Sequence, residues 1–164
     1  MSVSVLFVCL GNICRSPTAH GLFQHKVNQS GLADQIIVDS AGTGGWHSGA
    51  APDERAQSTA LDRGYDISHL SARKVVRDDF TEFDYILAMD NDNLSHLLTL
   101  KPVSYKGVLG LFLDVAGADV AGTTGNKEVP DPYYGGQAQF QMAIKLIEDG
   151  ADSLLARIRQ EYEL

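Results

Sequence analysis

Val5-Leu6-Phe7-Val8-Cys9-Leu10-Gly11-Asn12-Ile13-Cys14-Arg15-Ser16-Pro17 carries both a fold signal and a chemical one. Its first half, extended back to Val3, is an apolar run of the kind that forms a strand buried on both faces of a parallel sheet. Ser16 followed by Pro17 supplies a natural N-cap and first helical position, so the spacing predicts a strand-to-helix turn over residues 9–15. In such a turn the intervening backbone N–H groups can curl inward at a helix N-terminus, forming an anion-binding nest with the Cys9 sulfur at its floor. The helix dipole, the nest amides and the Arg15 guanidinium would all favour a thiolate there, which makes Cys9 a candidate nucleophile. A cysteine closing an apolar run is more often a small buried hydrophobe, and an arginine at a helix start is more often a surface charge. The turn context and the spacing between the two favour the chemical reading. A dinucleotide fingerprint would place three glycines in this turn, and a nucleoside-triphosphate loop would end in Gly-Lys-Ser or Gly-Lys-Thr; neither pattern is present.

A second block, Asp131-Pro132-Tyr133-Tyr134-Gly135, lies far along the chain. Asp-Pro by itself usually marks a turn. Together, the two blocks and the matching segments between them resemble the low-molecular-weight protein tyrosine phosphatases. The resemblance implies catalysis by Cys9, Arg15 and Asp131, through a phosphocysteine intermediate with Asp131 as general acid and then general base. It implies phosphate binding by the run Leu10, Gly11, Asn12, Ile13, Cys14 and Arg15. Supporting roles fall to Ser16, Ser40, His69 and Asp90, with Asn12 in a left-handed conformation at the centre of a network with Ser16, Ser40 and His69. The segment His69-Leu70-Ser71-Ala72-Arg73 carries one residue more than that of some relatives. Leu10, Ile13, Trp46, Tyr133 and Tyr134 are the expected pocket walls. Ile13 and the tyrosine pair favour phosphotyrosine over phosphoarginine, because related arginine phosphatases carry a smaller polar residue at the Ile13 position; the other alternative, a non-catalytic phosphopeptide-binding module, is disfavoured by the joint presence of Cys9, Arg15 and Asp131. Cys9 and Cys14 form a candidate redox pair, since a sulfenic acid on an exposed thiolate can condense with a nearby thiol. A general acid that must hold its proton beside a phosphate dianion implies activity that peaks below neutrality.

The 164 residues, 44% of them hydrophobic, predict one domain with a single core. No apolar run is long enough to span a bilayer, and no basic leader precedes the first strand, so a cytoplasmic protein is expected. A formal charge of −8 argues against nucleic acid or anionic membranes as partners. Phosphotyrosine-containing proteins are the expected substrates, a tyrosine kinase is admitted as a further partner, and a monomer is expected. Two cysteines make neither a disulfide framework nor a four-thiolate zinc site. His20 and His25 would diverge by roughly 140° on one helix and read as surface residues, while His47 and His69 fall in loops and His96 on an amphipathic helix. No metal and no cofactor is expected.

Apolar spacing predicts a helix over residues 17–30 ended by Gly31, a strand at 36–38 and a helix from Asp53 to near Gly64. Residues 65–83 give no clear signal. A strand follows at 85–89, then a helix capped by Asp90 and ended by Pro102, and a strand at 108–113. A Gly-, Ala- and Thr-rich segment leads to Asp131. The last helix carries an apolar seam through Phe140, Ile144, Ile147, Ala151, Leu154 and Ile158, with Gly150 a candidate kink. This alternation predicts an α/β fold in three layers, a central four-stranded parallel sheet flanked by helices, with the site beyond the carboxyl ends of the strands.

Overall fold

A computed structural model describes residues 2–118 and 126–164. The chain alternates β1 (Val3–Cys9), α1 (Arg15–Gln29), β2 (Ile36–Gly42), α2 (Glu54–Asp62), α3 (Asp79–Glu82), β3 (Tyr85–Ala88), α4 (Asn91–Leu100), β4 (Val108–Leu111), α5 (Phe112–Val115) and α6 (Gln137–Tyr162). The strands form one parallel sheet in the order β2-β1-β3-β4. All seven residues of β1 are buried. Alternation sends Val3, Val5, Phe7 and Cys9 into the larger core, with Phe23 of α1 and Ile144, Ile147 and Leu154 of α6. Leu6 and Val8 enter the core on the opposite face with Phe80, Phe83 and Leu97. Helices therefore cover both faces of the sheet, as the apolar character of β1 requires. The order 2-1-3-4 reverses direction at β1, so the crevice beyond its carboxyl end is the topological switch point where such sheets bind ligands.

Several boundaries differ from the sequence expectation, each for a physical reason. The first helix starts at Arg15, with Cys14 as its N-cap, two residues earlier than the Ser16-Pro17 signal predicts. The Ser16 hydroxyl cannot cap because it is engaged below the loop by Asn12 and Cys9. β4 stops at Leu111, where the predicted strand continues to 113. Phe112 and Leu113 instead form the helical turn of α5 and are fully buried. A Cβ on Gly150 would stand 2.7 Å from Leu113 Cδ2 and 2.8 Å from Phe112 Cζ. Gly150 thus provides close approach between α5 and α6, and α6 runs uninterrupted through it where a kink was expected. Asp90 caps α4 as predicted, in a reciprocal capping box with Asn93. Of the Gly-, Ala- and Thr-rich segment before Asp131, residues 119–125 lie outside the described part of the chain.

Candidate active site

Cys9 ends β1 opposite Gly42 of β2. The following loop is stitched to its surroundings through its backbone: Thr43 N donates to Cys9 O at 2.9 Å, Gly44 N to Leu10 O at 2.9 Å, and Asp53 N to Ile13 O at 2.8 Å. A Cβ on Gly42 would meet only backbone, with Leu10 O at 2.8 Å and Gly11 C at 3.0 Å. The end of β2 is therefore shaped to let the loop lie directly against it. Asn12 adopts φ 57°, the left-handed conformation expected of it. Its side chain points under the loop, with Nδ2 donating to Ser16 Oγ at 2.7 Å and Oδ1 accepting from Arg73 N at 3.0 Å. Ser16 Oγ in turn lies 3.0 Å from Cys9 Sγ.

Arg15 is 2% exposed. Its Nη1 donates to Asp90 Oδ2 at 2.6 Å and to the Val129 carbonyl at 2.9 Å, while Nη2 lies 3.5 Å from Asp131 Oδ2. Burial alone would lower its pKa, but the charge at Cys9 and the Asp90 and Asp131 carboxylates outweigh that and hold the guanidinium above its ordinary value. Tyr133 N donates to Asp131 Oδ1 at 3.1 Å, fixing the carboxylate at the start of its turn.

These groups surround an open cleft of about 290 Å³ lined by Cys9, Leu10, Gly11, Ile13, Cys14, Arg15, Trp46, His47, Asp131, Tyr133 and Tyr134. All five expected wall residues are among them. Trp46 and Tyr134 form the rim, at 65% and 95% exposure. A Cβ on Gly44 would overlap the Trp46 ring, so the indole rests against bare backbone. Asn12 is the one member of the run 10–15 absent from the lining, because its side chain is spent beneath the loop.

The supporting network departs from the expected one. Ser16 reaches Cys9 and Asp90 reaches Arg15, but Ser40 Oγ pairs with His20 Nδ1 at 2.9 Å and His69 is exposed. His20 is accordingly a half-buried hydrogen-bonded residue, not the surface residue its spacing suggested. Arg73 fills the part assigned to His69 by holding Asn12 through its backbone. Its guanidinium spans Asp39 Oδ2 at 3.0 Å and Asp79 Oδ1 at 3.0 Å, which anchors the otherwise irregular segment before α3 beneath the loop. His47, read only as a loop residue, joins the cleft; a Cβ on Gly11 would lie 3.0 Å from its Cδ2. The adjacency of His47 to Trp46 was the one signal that could have identified it.

Cys14 is buried, and both cysteines are free. Burial first, then the charges of Asp53, Cys9 and Asp131, push the Cys14 thiol up to about 12. At neutral pH it is a neutral thiol beside Cys9.

Comparison with known proteins gives a consistent result. The model of the family described as low molecular weight phosphotyrosine protein phosphatase matches residues 4–164. The low molecular weight protein-tyrosine-phosphatase YfkJ of Bacillus subtilis is 41% identical over 163 residues, covering 99% of each chain. The crystal structure of a protein tyrosine phosphatase from Entamoeba histolytica, with Hepes in its active site, superposes with a TM-score of 0.88 at 40% identity, covering 99% of this chain and 100% of that one. A Drosophila arginine phosphatase superposes with a TM-score of 0.82 at 32% identity, covering 94% of this chain and 97% of the other.

Proposed function

From the premise that this chain belongs to the low molecular weight phosphotyrosine protein phosphatase family, we propose that it hydrolyses protein phosphotyrosine at the cleft above Cys9, by the following route. The Cys9 thiolate attacks phosphorus in line with the phenolic oxygen. Arg15, with Nη1 anchored on Asp90 and Val129, presents the rest of its planar guanidinium to the equatorial phosphate oxygens. The backbone amides of residues 10–15 stabilise the charge that develops on those oxygens. Asp131 protonates the departing phenolate, then takes a proton from the water that hydrolyses the phosphocysteine. Ser16 Oγ accepts from Asn12 and lies 3.4 Å from the Ala41 carbonyl and 3.0 Å from Cys9 Sγ, so its single proton can turn from that carbonyl to the Cys9 sulfur as the sulfur leaves. The observation that carries this reading is the arrival of Asp131, from a block far along the chain, at the cleft that Cys9 and Arg15 form within one loop.

Phosphoarginine is the second reading, supported by the likeness to the Drosophila arginine phosphatase. Ile13 and the aromatic Trp46, Tyr133 and Tyr134 surround the cleft, and an apolar aryl slot suits a phenyl ring better than a guanidinium. Matched peptides carrying phosphotyrosine or phosphoarginine separate the two. Faster phosphate release from phosphotyrosine is expected, and faster release from phosphoarginine would reverse the assignment.

Oxidation belongs to the same proposal. Peroxide would convert the Cys9 thiolate to sulfenic acid, and Cys14 would displace water from it to form a disulfide. Both free thiols accord with a reducing, cytoplasmic setting. No described helix is long and apolar enough to cross a membrane. A monomer acting on phosphotyrosine proteins, with tyrosine kinases supplying the modified substrates, completes the reading. The net charge of −8 disfavours nucleic acid and anionic lipid surfaces.

A further inference from the structure

Arg55, in the first turn of α2, has no role in the chemistry above, yet its side chain lies between two aromatic rings at the edge of the cleft. Its Cζ is 5.4 Å from the centre of the Tyr133 ring and 4.7 Å from that of Phe140, at the start of α6. The guanidinium is also held by a fork to Asp53, Nε to Oδ1 at 3.1 Å and Nη2 to Oδ2 at 3.0 Å. Asp53 is fixed in turn: its carboxylate caps α2 through Arg55 N, and its backbone N–H donates to the Ile13 carbonyl in the phosphate loop.

A continuous chain of contacts therefore runs from the floor of the cleft to its wall. It passes from Ile13 through Asp53 and Arg55 to the Tyr133 ring. The guanidinium is planar, so it can keep its fork on the carboxylate while its faces meet aromatic rings, which an ammonium cannot do. Tyr133 lines the cleft beside Cys9 and Arg15, and Tyr134 packs edge-on against it with ring centres 4.9 Å apart. We infer that Arg55 is a positioning residue for the aryl slot: it sets the distance of the Tyr133 ring from the phosphate loop, and thereby selects for an aromatic leaving group.

The inference rests on the cleft accepting an aryl phosphate, so wild-type turnover of p-nitrophenyl phosphate is read first. If no phosphate is released, the phosphatase reading itself fails. Given turnover, Arg55→Met should raise KM for p-nitrophenyl phosphate roughly five-fold, the effect of losing one partly exposed cation–π contact. The inhibition constant of inorganic phosphate, which needs only the loop and Arg15, should stay within two-fold, about the tolerance for independent sites. Arg55→Lys should recover part of the loss, since it restores the cation without the fork. In a Tyr133→Leu background, Arg55→Met should add nothing further. A rise in the phosphate inhibition constant parallel to KM, an undiminished effect in the Tyr133→Leu background, or an unaltered KM would each overturn the inference.

Discussion

Ser16 Oγ, Asn12 Nδ2 and Cys9 Sγ form a short relay beneath the phosphate loop, and it explains why the loop needs these residue types. Asn12 supplies a left-handed backbone together with two hydrogen-bonding groups, a combination that glycine cannot provide. Across the cleft, Asp131 is more than a third exposed, at 37%, and faces Arg15 Nη2. A general acid so placed matters in proportion to the basicity of the leaving group. Asp131→Asn should therefore slow phosphotyrosine hydrolysis by about 10²–10⁴-fold, while a substrate with an acidic phenol should lose far less. A series of aryl phosphates of graded leaving-group pKa checks this. Equal losses across the series would remove Asp131 from the acid role.

At the scale of elements, β1, the phosphate loop and α1 act as one unit, and Cys14 is where that unit meets α2. Because burial and Asp53 push its thiol up to about 12, Cys14 does not compete with Cys9 for substrate at neutral pH. The same feature makes it a slow resolving thiol. Peroxide inactivation should be reversed by dithiothreitol in the wild type and become permanent in Cys14→Ser. Disulfide closure on pre-oxidised enzyme should accelerate roughly ten-fold per pH unit over the range in which the thiol stays mostly protonated. Equal recovery in Cys14→Ser, measured with peptide mapping of the oxidised protein, would leave Cys14 a structural residue. The phosphate loop was legible in the sequence because its signals are local: an apolar run, a Cys and Arg at fixed spacing, and Ser-Pro. Asp90 was legible for the same reason, as a cap immediately before an apolar-periodic segment. The pairing of His20 with Ser40, the Asp39 carboxylate on Arg73 and the place of Arg55 against Tyr133 were not legible. Each joins residues whose proximity is created by the packing of separate elements and not by any repeat along the chain. The α5 turn was hidden because Phe112 and Leu113 suit a buried strand equally well; in the fold both side chains pack against the bare Gly150 of α6.

For the whole molecule, these contacts make stability depend on pH. Burial holds His20 below its ordinary 6.5, and His69 and Arg73 reinforce this against the opposing pull of Asp39. A base whose folded pKa is depressed is neutral in the native state while the unfolded chain takes up a proton. Its contribution to stability is thus complete above about 6.5 and lost as pH falls through the lower folded value. The urea midpoint should fall between pH 7 and pH 5 more steeply for the wild type than for His20→Gln, and identical slopes would exclude His20 as the cause. Acid therefore weakens the packing of α1 on β2, where His20 meets Ser40. Turnover by this route passes through a covalent bond between phosphorus and one sulfur. Enzyme quenched in acid during turnover of an aryl phosphate should carry a single phosphoryl adduct, mapped by mass spectrometry to the peptide containing Cys9, and absent from Cys9→Ser. Turnover at full rate with no adduct at any quench time, or with an adduct elsewhere than Cys9, would contradict it.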